Sequence, residues 1–109
     1  MIELNLELNR PTVEQAVAML KNGLMTARNQ GVRAVIVIHG YGSSGEGGKI
    51  KPAVAKFLAQ DSMRGIVRAF TPGETWFSQK KQFIDMCGTL KDHERRISDN
   101  FGTTVVILK

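Results

Sequence analysis

The chain has 109 residues, 42% of them hydrophobic and 23% charged, which is typical of one globular domain. No apolar run approaches the roughly 18 residues that a membrane helix needs, and the single cysteine, Cys87, excludes an internal disulfide. The net charge of +5 favours an anionic partner, although many basic domains are merely soluble. We therefore expect a cytoplasmic domain in a reducing compartment.

The first third of the chain predicts a strand, a helix and a second strand. Residues 2–9 alternate between apolar and polar side chains, which indicates a strand with one buried face. Residues 12–29 have apolar side chains at helical spacing, and Thr12 with Gln15 has the pattern of a capping box. Residues 34–38 are apolar and mostly β-branched, which predicts a strand buried on both faces. Two strands joined by a helix should be parallel.

A histidine and a glycine-rich loop follow the second strand. His39 stands at its carboxyl end, where ligands bind in open α/β sheets, and five of the next nine residues are glycine. Residues 50–60 have helical spacing with Pro52 in the first turn. The start of this helix would face the loop beside Lys49 and favour an anion. The pattern predicts a phosphate-facing site.

The last part of the chain predicts two more strands, over 66–70 and 103–108, with a long segment between them. That segment, 71–102, is too long for a structureless loop. Its apolar residues have approximate helical spacing, so we expect helix after Glu74. We also expect Trp76 or Phe77 to pack against the core, because exposed aromatic patches are unusual in a monomer.

Four segments together resemble one known family. Residues 6–16 read Leu-Glu-Leu-Asn-Arg-Pro-Thr-Val-Glu-Gln-Ala, and 39–42 read His-Gly-Tyr-Gly. Residues 49–54 read Lys-Ile-Lys-Pro-Ala-Val, and 104–109 read Thr-Val-Val-Ile-Leu-Lys. In order and spacing these resemble the Small MutS-Related (Smr) domain. Its first signature is usually Leu-Asp-x-His-Gly-x-Thr-x-x-Glu-Ala, and its second is His-Gly-x-Gly.

The resemblance implies a fold and a function. The fold would be a two-layer α/β (α+β) sandwich in the order βαβαββ, with a four-stranded mixed sheet like the C-terminal domain of translation initiation factor three. The chain, 1–109, would be a single Smr-like domain with 71–102 as a helical insertion before the last strand. Such domains nick DNA, cut RNA or bind structured or branched nucleic acid, so DNA or RNA is the implied partner.

The same resemblance implies the site residues. The family's acid survives as Glu7, but its histidine is replaced by Asn9 and the following glycine by Arg10. Glu7 and His39 are then the candidate catalytic pair of a metal-independent endonuclease. Because Asn9 cannot titrate, we favour binding over catalysis. The candidate nucleic-acid-binding residues are Asn9, Arg10, Gly40, Tyr41, Gly42, Lys49 and Lys51.

Other kinds of site find little support in the sequence. We expect no metal site, because one thiol and two distant histidines fall short of a ligand set. We expect no cofactor, because the glycine loop lacks the Walker and Rossmann patterns. An alternative role for His39 is to bond the backbone of its own loop. An alternative function is a protein-interaction module that docks through 71–102, where Trp76 and Phe77 lie beside basic residues.

Overall fold

The computed structural model describes residues 2–8, 11–40 and 47–109. In these residues the chain forms β1 (Ile2–Asn5), α1 (Val13–Asn29), β2 (Ala34–Ile38), α2 (Gly47–Leu58), β3 (Val67–Pro72), α3 (Trp76–Met86), α4 (Glu94–Ile97) and β4 (Thr103–Leu108). Short 3₁₀ turns lie at Asp61–Met63, Gly73–Thr75 and Gly88–His93. Within this part of the chain, no helix has the length and apolar character needed to cross a lipid bilayer.

The strands of the described residues form one four-stranded mixed sheet in the order β1-β2-β4-β3. β1 and β2 are parallel, as predicted, with Ile2 opposite Val35. β4 pairs with both β2 and β3 and is antiparallel to each. Although it comes last in the sequence among these strands, it therefore lies inside the sheet. The predicted fold class, α/β (α+β) with a four-stranded mixed sheet, is confirmed.

Two helices cover one face of the sheet. The capping box of α1 is present: the Thr12 hydroxyl accepts from the Gln15 amide at 3.1 Å, and the Gln15 side chain accepts from the Thr12 amide at 2.9 Å. The apolar stripe of α1 then packs against α2 and against alternate residues of the strands. The buried members of the stripe are Ala16, Leu20, Leu24 and Ala27.

The segment between β3 and β4 covers the other face. Trp76 and Phe83 of α3 pack edge to face, with ring centroids 6.1 Å apart. They form a second core with Leu90, Ile97, Ala34, Ile36, Val105 and Ile107. The predicted burial of Trp76 is confirmed, and Phe77 is exposed. The predicted sandwich had two layers, and the structure has helices on both faces of the sheet. β2 is therefore buried on both sides, as its sequence indicates.

The predicted strand over 2–9 is wrong at residues 6–8, and residue 9 lies outside the described residues. The Asn5 side chain accepts a hydrogen bond from the Glu7 amide at 2.8 Å, which is the turn that Asn favours. The chain therefore leaves the sheet early, and Leu8 is 61% exposed although the alternation placed it in the core.

The predicted bounds of two other elements also differ. α2 begins at Gly47 instead of residue 50, so Pro52 lies in its second turn and not in the first. β3 spans Val67–Pro72 instead of residues 66–70, so it ends two residues later than predicted and still before the helix predicted after Glu74. Its pairing with β4 shifts register between Val67 and Ala69, so Arg68 is the extra residue of a β-bulge.

Candidate functional site

The His39 side chain follows β2 directly and is only 1% exposed. Its Nδ1 lies 3.1 Å from the carbonyl oxygen of Gly40, and its Nε2 lies 2.9 Å from the hydroxyl of Thr104 on β4. A carbonyl only accepts, so Nδ1 carries the proton and donates. In the neutral ring Nε2 then accepts from the Thr104 hydroxyl. The imidazole thereby joins the loop to the central strand.

Burial governs the protonation of this ring. Loss of water around His39 lowers its pKa below the ordinary value, and the nearby Lys51 ammonium acts in the same direction. The Gly40 carbonyl and the Glu74 carboxylate oppose the shift without cancelling it. The folded protein therefore holds His39 neutral, with both ring nitrogens already bonded.

The backbone at His39 and Gly40 packs directly on the segment before β4. Both amides donate to the carbonyl of Gly102, at 2.9 and 3.0 Å. Gly40 has a φ of +75°, and a Cβ built on it would lie 2.2 Å from Glu7 Oε2. Gly40 thus combines a left-handed turn, which favours glycine, with a close approach of the Glu7 carboxylate, whose exposed side chain would have to move to admit a larger residue.

A cleft lies where these segments meet, which we call the Glu7 cleft. It encloses about 170 Å³ and is lined by Glu7, Ile38, Gly40, Arg96, Asn100, Gly102 and Thr103. Arg96 pairs with Glu3 of β1 at 2.7 Å, and the Asn100 side chain donates to the Arg96 carbonyl at 2.9 Å. The cleft is a polar recess whose acid comes from the first signature and whose other wall comes from 71–102.

A half-buried cation stands near His39. Lys51 of α2 donates a short hydrogen bond to Glu74, and its Nζ lies 5.2 Å from the centre of the Phe101 ring. Burial is the largest influence on the Glu74 carboxyl and raises its pKa. The hydrogen bond and charge of Lys51, with a hydrogen bond from the Glu74 backbone, together outweigh burial, so the pKa is lowered. The other oxygen, Oε1, is buried without a partner in the part of the chain that is described. The ammonium is therefore held by two residues of the 71–102 segment.

The structure brings Glu7, Gly40, His39 and Lys51 together at the carboxyl edge of β2. Lys49 is exposed in α2, two residues before Lys51. The candidates Asn9, Arg10, Tyr41 and Gly42 lie outside the described residues. Among the residues that are described, no group of three His, Cys, Asp or Glu side chains could hold a metal ion.

Sequence reasoning missed the residues that complete this edge, namely Glu74, Arg96, Asn100, Phe101 and Thr104. Thr104 begins the closing segment that resembles the family, whereas the other four belong to no motif. The partners of Glu74 and Thr104 lie far away in the chain: Lys51 and Glu74 are 23 residues apart, and His39 and Thr104 are 65 apart. The one sequence feature that could have drawn attention to Glu74 is its position, as a single carboxylate, just before a predicted helix.

Comparisons with known proteins point to one family. The model of the Smr domain family matches residues 6–80, more than half of the chain. The crystal structure of the Smr domain of Thermus thermophilus MutS2 is similar, with a TM-score of 0.63 and 23% identity over 100% of this chain and 99% of that chain. A likeness at this identity shows the fold. No curated protein matches the chain.

Proposed function

Because this chain belongs to the Smr domain family, whose members bind nucleic acid, we propose that it binds DNA or RNA at the edge of the sheet where β2 ends. The observation that carries the proposal is the half-buried ammonium of Lys51, which Glu74 and Phe101 hold near His39 at this edge. An ammonium has three donors, and the bond to Glu74 uses one. The other two are the donors that a phosphate oxygen would take.

We propose binding in preference to cleavage. Cutting a phosphodiester needs one group that accepts a proton and one that donates it. The neutral, buried ring of His39, with both nitrogens bonded, is poorly suited to either task. Asn9 cannot titrate. Glu7 is then the titratable group left in the Glu7 cleft, so any cleavage would be weak and independent of metal.

The organisation of the chain belongs to the same proposal. Residues 1–109 would act as one Smr-like unit, with 71–102 as a helical insertion that holds Lys51 through Glu74 and Phe101. The preferred partner would be a structured or branched nucleic acid, as the family resemblance implies. The competing function, a protein-interaction module, rests on Phe77, which is 78% exposed on α3 with Lys80 over its ring.

The salt dependence of binding tests the proposal. Replacing Lys49 and Lys51 together by Gln should weaken binding to all nucleic acids alike and reduce the slope of log K against log salt by about two, since each phosphate contact contributes roughly 0.9. A gel-shift titration at several salt concentrations with duplex, branched and single-stranded DNA and RNA measures this. The control is the Lys21→Gln/Lys56→Gln pair, which removes the same charge from exposed helical positions. An unchanged slope in the Lys49/Lys51 variant would favour the interaction module.

Cleavage is tested separately in the presence of EDTA. Asn9→His restores the titratable group that the family carries, so we expect it to create weak cleavage near pH 6–7, where an imidazole of pKa about 6.5 titrates. The wild type should cut labelled RNA and nick supercoiled DNA little or not at all. Wild-type activity that falls roughly 10²–10⁴-fold in His39→Ala would contradict the proposal, because His39 would then transfer a proton.

A further inference from the structure

A second cleft lies at the end of the sheet opposite His39, and we call it the basic cleft. It encloses about 350 Å³. Its apolar lining residues include Met86 and Ile107, and its charged lining residues are Arg28, Arg33, Arg68 and Lys109. The three arginines lie outside the segments that resemble the family, Lys109 ends one of those segments, and the proposed function uses none of the four.

Three separate elements bring the arginines to this cleft. Arg28 lies in the last turn of α1, Arg33 directly precedes β2, and Arg68 lies on β3. A cation in the last turn of a helix also stabilises the helix dipole, which is a sufficient structural reason for Arg28 alone. That reason does not apply to Arg33 or Arg68, which stand on no helix.

The backbone of β3 is adapted at this point. Arg68 is the extra residue of the bulge between Val67 and Ala69. A bulge bends an edge strand and re-aims the side chain that it carries. In a regular strand, consecutive side chains point to alternate faces of the sheet. The bulge interrupts this alternation at Arg68, whose guanidinium lines the cleft.

The charges in the basic cleft are unbalanced. In the described chain, no carboxylate side chain lines this cleft, and Arg28, Arg33 and Arg68 make no ion pair there. The cations near the other end behave differently, since Lys51 pairs with Glu74 and Arg96 with Glu3. Like charges gathered without partners repel one another and raise the local concentration of anions.

We propose that the basic cleft is a second binding site for the phosphodiester backbone of a nucleic acid. The inference rests on the proposed function, because it assigns a second contact to the same ligand. One guanidinium group donates two parallel hydrogen bonds to a phosphate, so arginine suits this role better than lysine. Arg33 and His39 are six residues apart across β2, which is about 20 Å of extended chain. That span corresponds to roughly six nucleotides along one strand of a duplex, so a duplex of a few turns is long enough to contact both ends of the sheet.

The test is the Arg33→Gln/Arg68→Gln variant. Both side chains are exposed, and Arg28 is left in place to keep the end of α1 intact. We expect the salt slope for a 20-base-pair DNA duplex, and for the RNA duplex of the same sequence, to fall by roughly two, with binding about 10- to 100-fold weaker at 0.1 M salt. The Lys21→Gln/Lys56→Gln pair is the control for net charge, and thermal unfolding checks that each variant is folded.

The possible outcomes separate this inference from the proposed function. A slope that falls in the Lys49/Lys51 variant but not in the Arg33/Arg68 variant overturns the inference alone. An equal fall of the salt slope in the Lys21/Lys56 control also overturns the inference, because the fall would then come from the lower net charge and not from the cleft. A wild type that binds neither duplex overturns the inference, and a wild type that binds none of the duplex, branched and single-stranded nucleic acids of the gel-shift titration overturns both. In a second arm, inorganic phosphate is titrated while the amide signals of Gly31 and Arg33 are followed by NMR. Saturation by phosphate, with duplex binding unaffected in the arginine variant, assigns the cleft to a small anion and overturns the proposal.

Discussion

The imidazole of His39 links the loop after β2 to the central strand β4 through Gly40 and Thr104. Burial lowers its pKa in the folded state, whereas in the unfolded chain the value returns to about 6.5. Below that pH the unfolded chain takes up a proton that the folded chain does not, so acid shifts the equilibrium towards unfolding. This contribution to stability is complete above pH 6.5 and is lost as the pH falls towards the lower, folded-state value.

We therefore predict that the free energy of unfolding decreases between pH 7.5 and 5.5 and that His39→Asn reduces this decrease. The single group can contribute up to about 1.4 kcal/mol per pH unit within its window. Urea unfolding followed by circular dichroism at several pH values measures it. His93→Asn is the matched control, because it removes the other histidine without touching the loop. Equal pH dependence in wild type and His39→Asn would mean that the ring is not held neutral.

Single residues show why only part of the site is readable from the sequence. His39 and Lys51 stand next to a glycine loop and a helix start, which are local signals. The partners that decide what these residues do are not local. Glu74 and Thr104 meet them only because β4 enters the sheet beside β2, and no spacing rule encodes that meeting. Local patterns predict where a site lies, but its hydrogen bonds depend on tertiary structure.

At the scale of elements, helix α3 attaches the 71–102 segment to the sheet through the side that carries Trp76 and Phe83. Trp76 is fully buried, and the next residue, Phe77, is 78% exposed. The indole Nε1 of Trp76 has no hydrogen-bond partner among the described residues. An unpaired buried donor costs roughly 1–3 kcal/mol, so the burial of this ring is not as favourable as its area suggests.

We predict that Trp76→Ala destabilises the protein by about 3 kcal/mol, at the low end of the usual range for such a truncation because the unpaired donor is removed too. Phe77→Ala should change stability by less than about 0.5 kcal/mol, as exposed substitutions usually do. Urea unfolding by circular dichroism compares the two neighbours. Equal effects would show that α3 does not hold the second core together.

The elements themselves were predicted to different degrees. Helix α1 was readable because its cap and its apolar stripe agree. The early end of β1 was not, because one Asn5 hydrogen bond overrides an alternation that continues to Leu8. The order of the strands in the sheet could not be predicted either, since a period-two pattern identifies a strand but not the strands that pair with it. The bulge at Arg68 leaves no mark in the sequence that separates it from a regular strand.

At the scale of the whole molecule, the two clefts lie at opposite ends of the strands and differ in charge. The Glu7 cleft contains an acid and a paired arginine, and the basic cleft contains cations without partners in the described chain. The net charge of +5 is therefore not spread evenly over the surface. An anionic partner would first meet the basic end, because long-range attraction follows unpaired charge.

The central place of β4 has a consequence for how the protein is made. Residues 103–108 are the last of the four strands to be synthesised, yet they separate β2 from β3. Until they leave the ribosome, both of these strands keep an open hydrogen-bonding edge, and such edges invite pairing with other chains. Thr104 and Gly102, which bond His39 and Gly40, arrive in the same stretch. The nascent chain therefore closes its sheet and forms the bonds to His39 and Gly40 in one late event, and neither precedes the other.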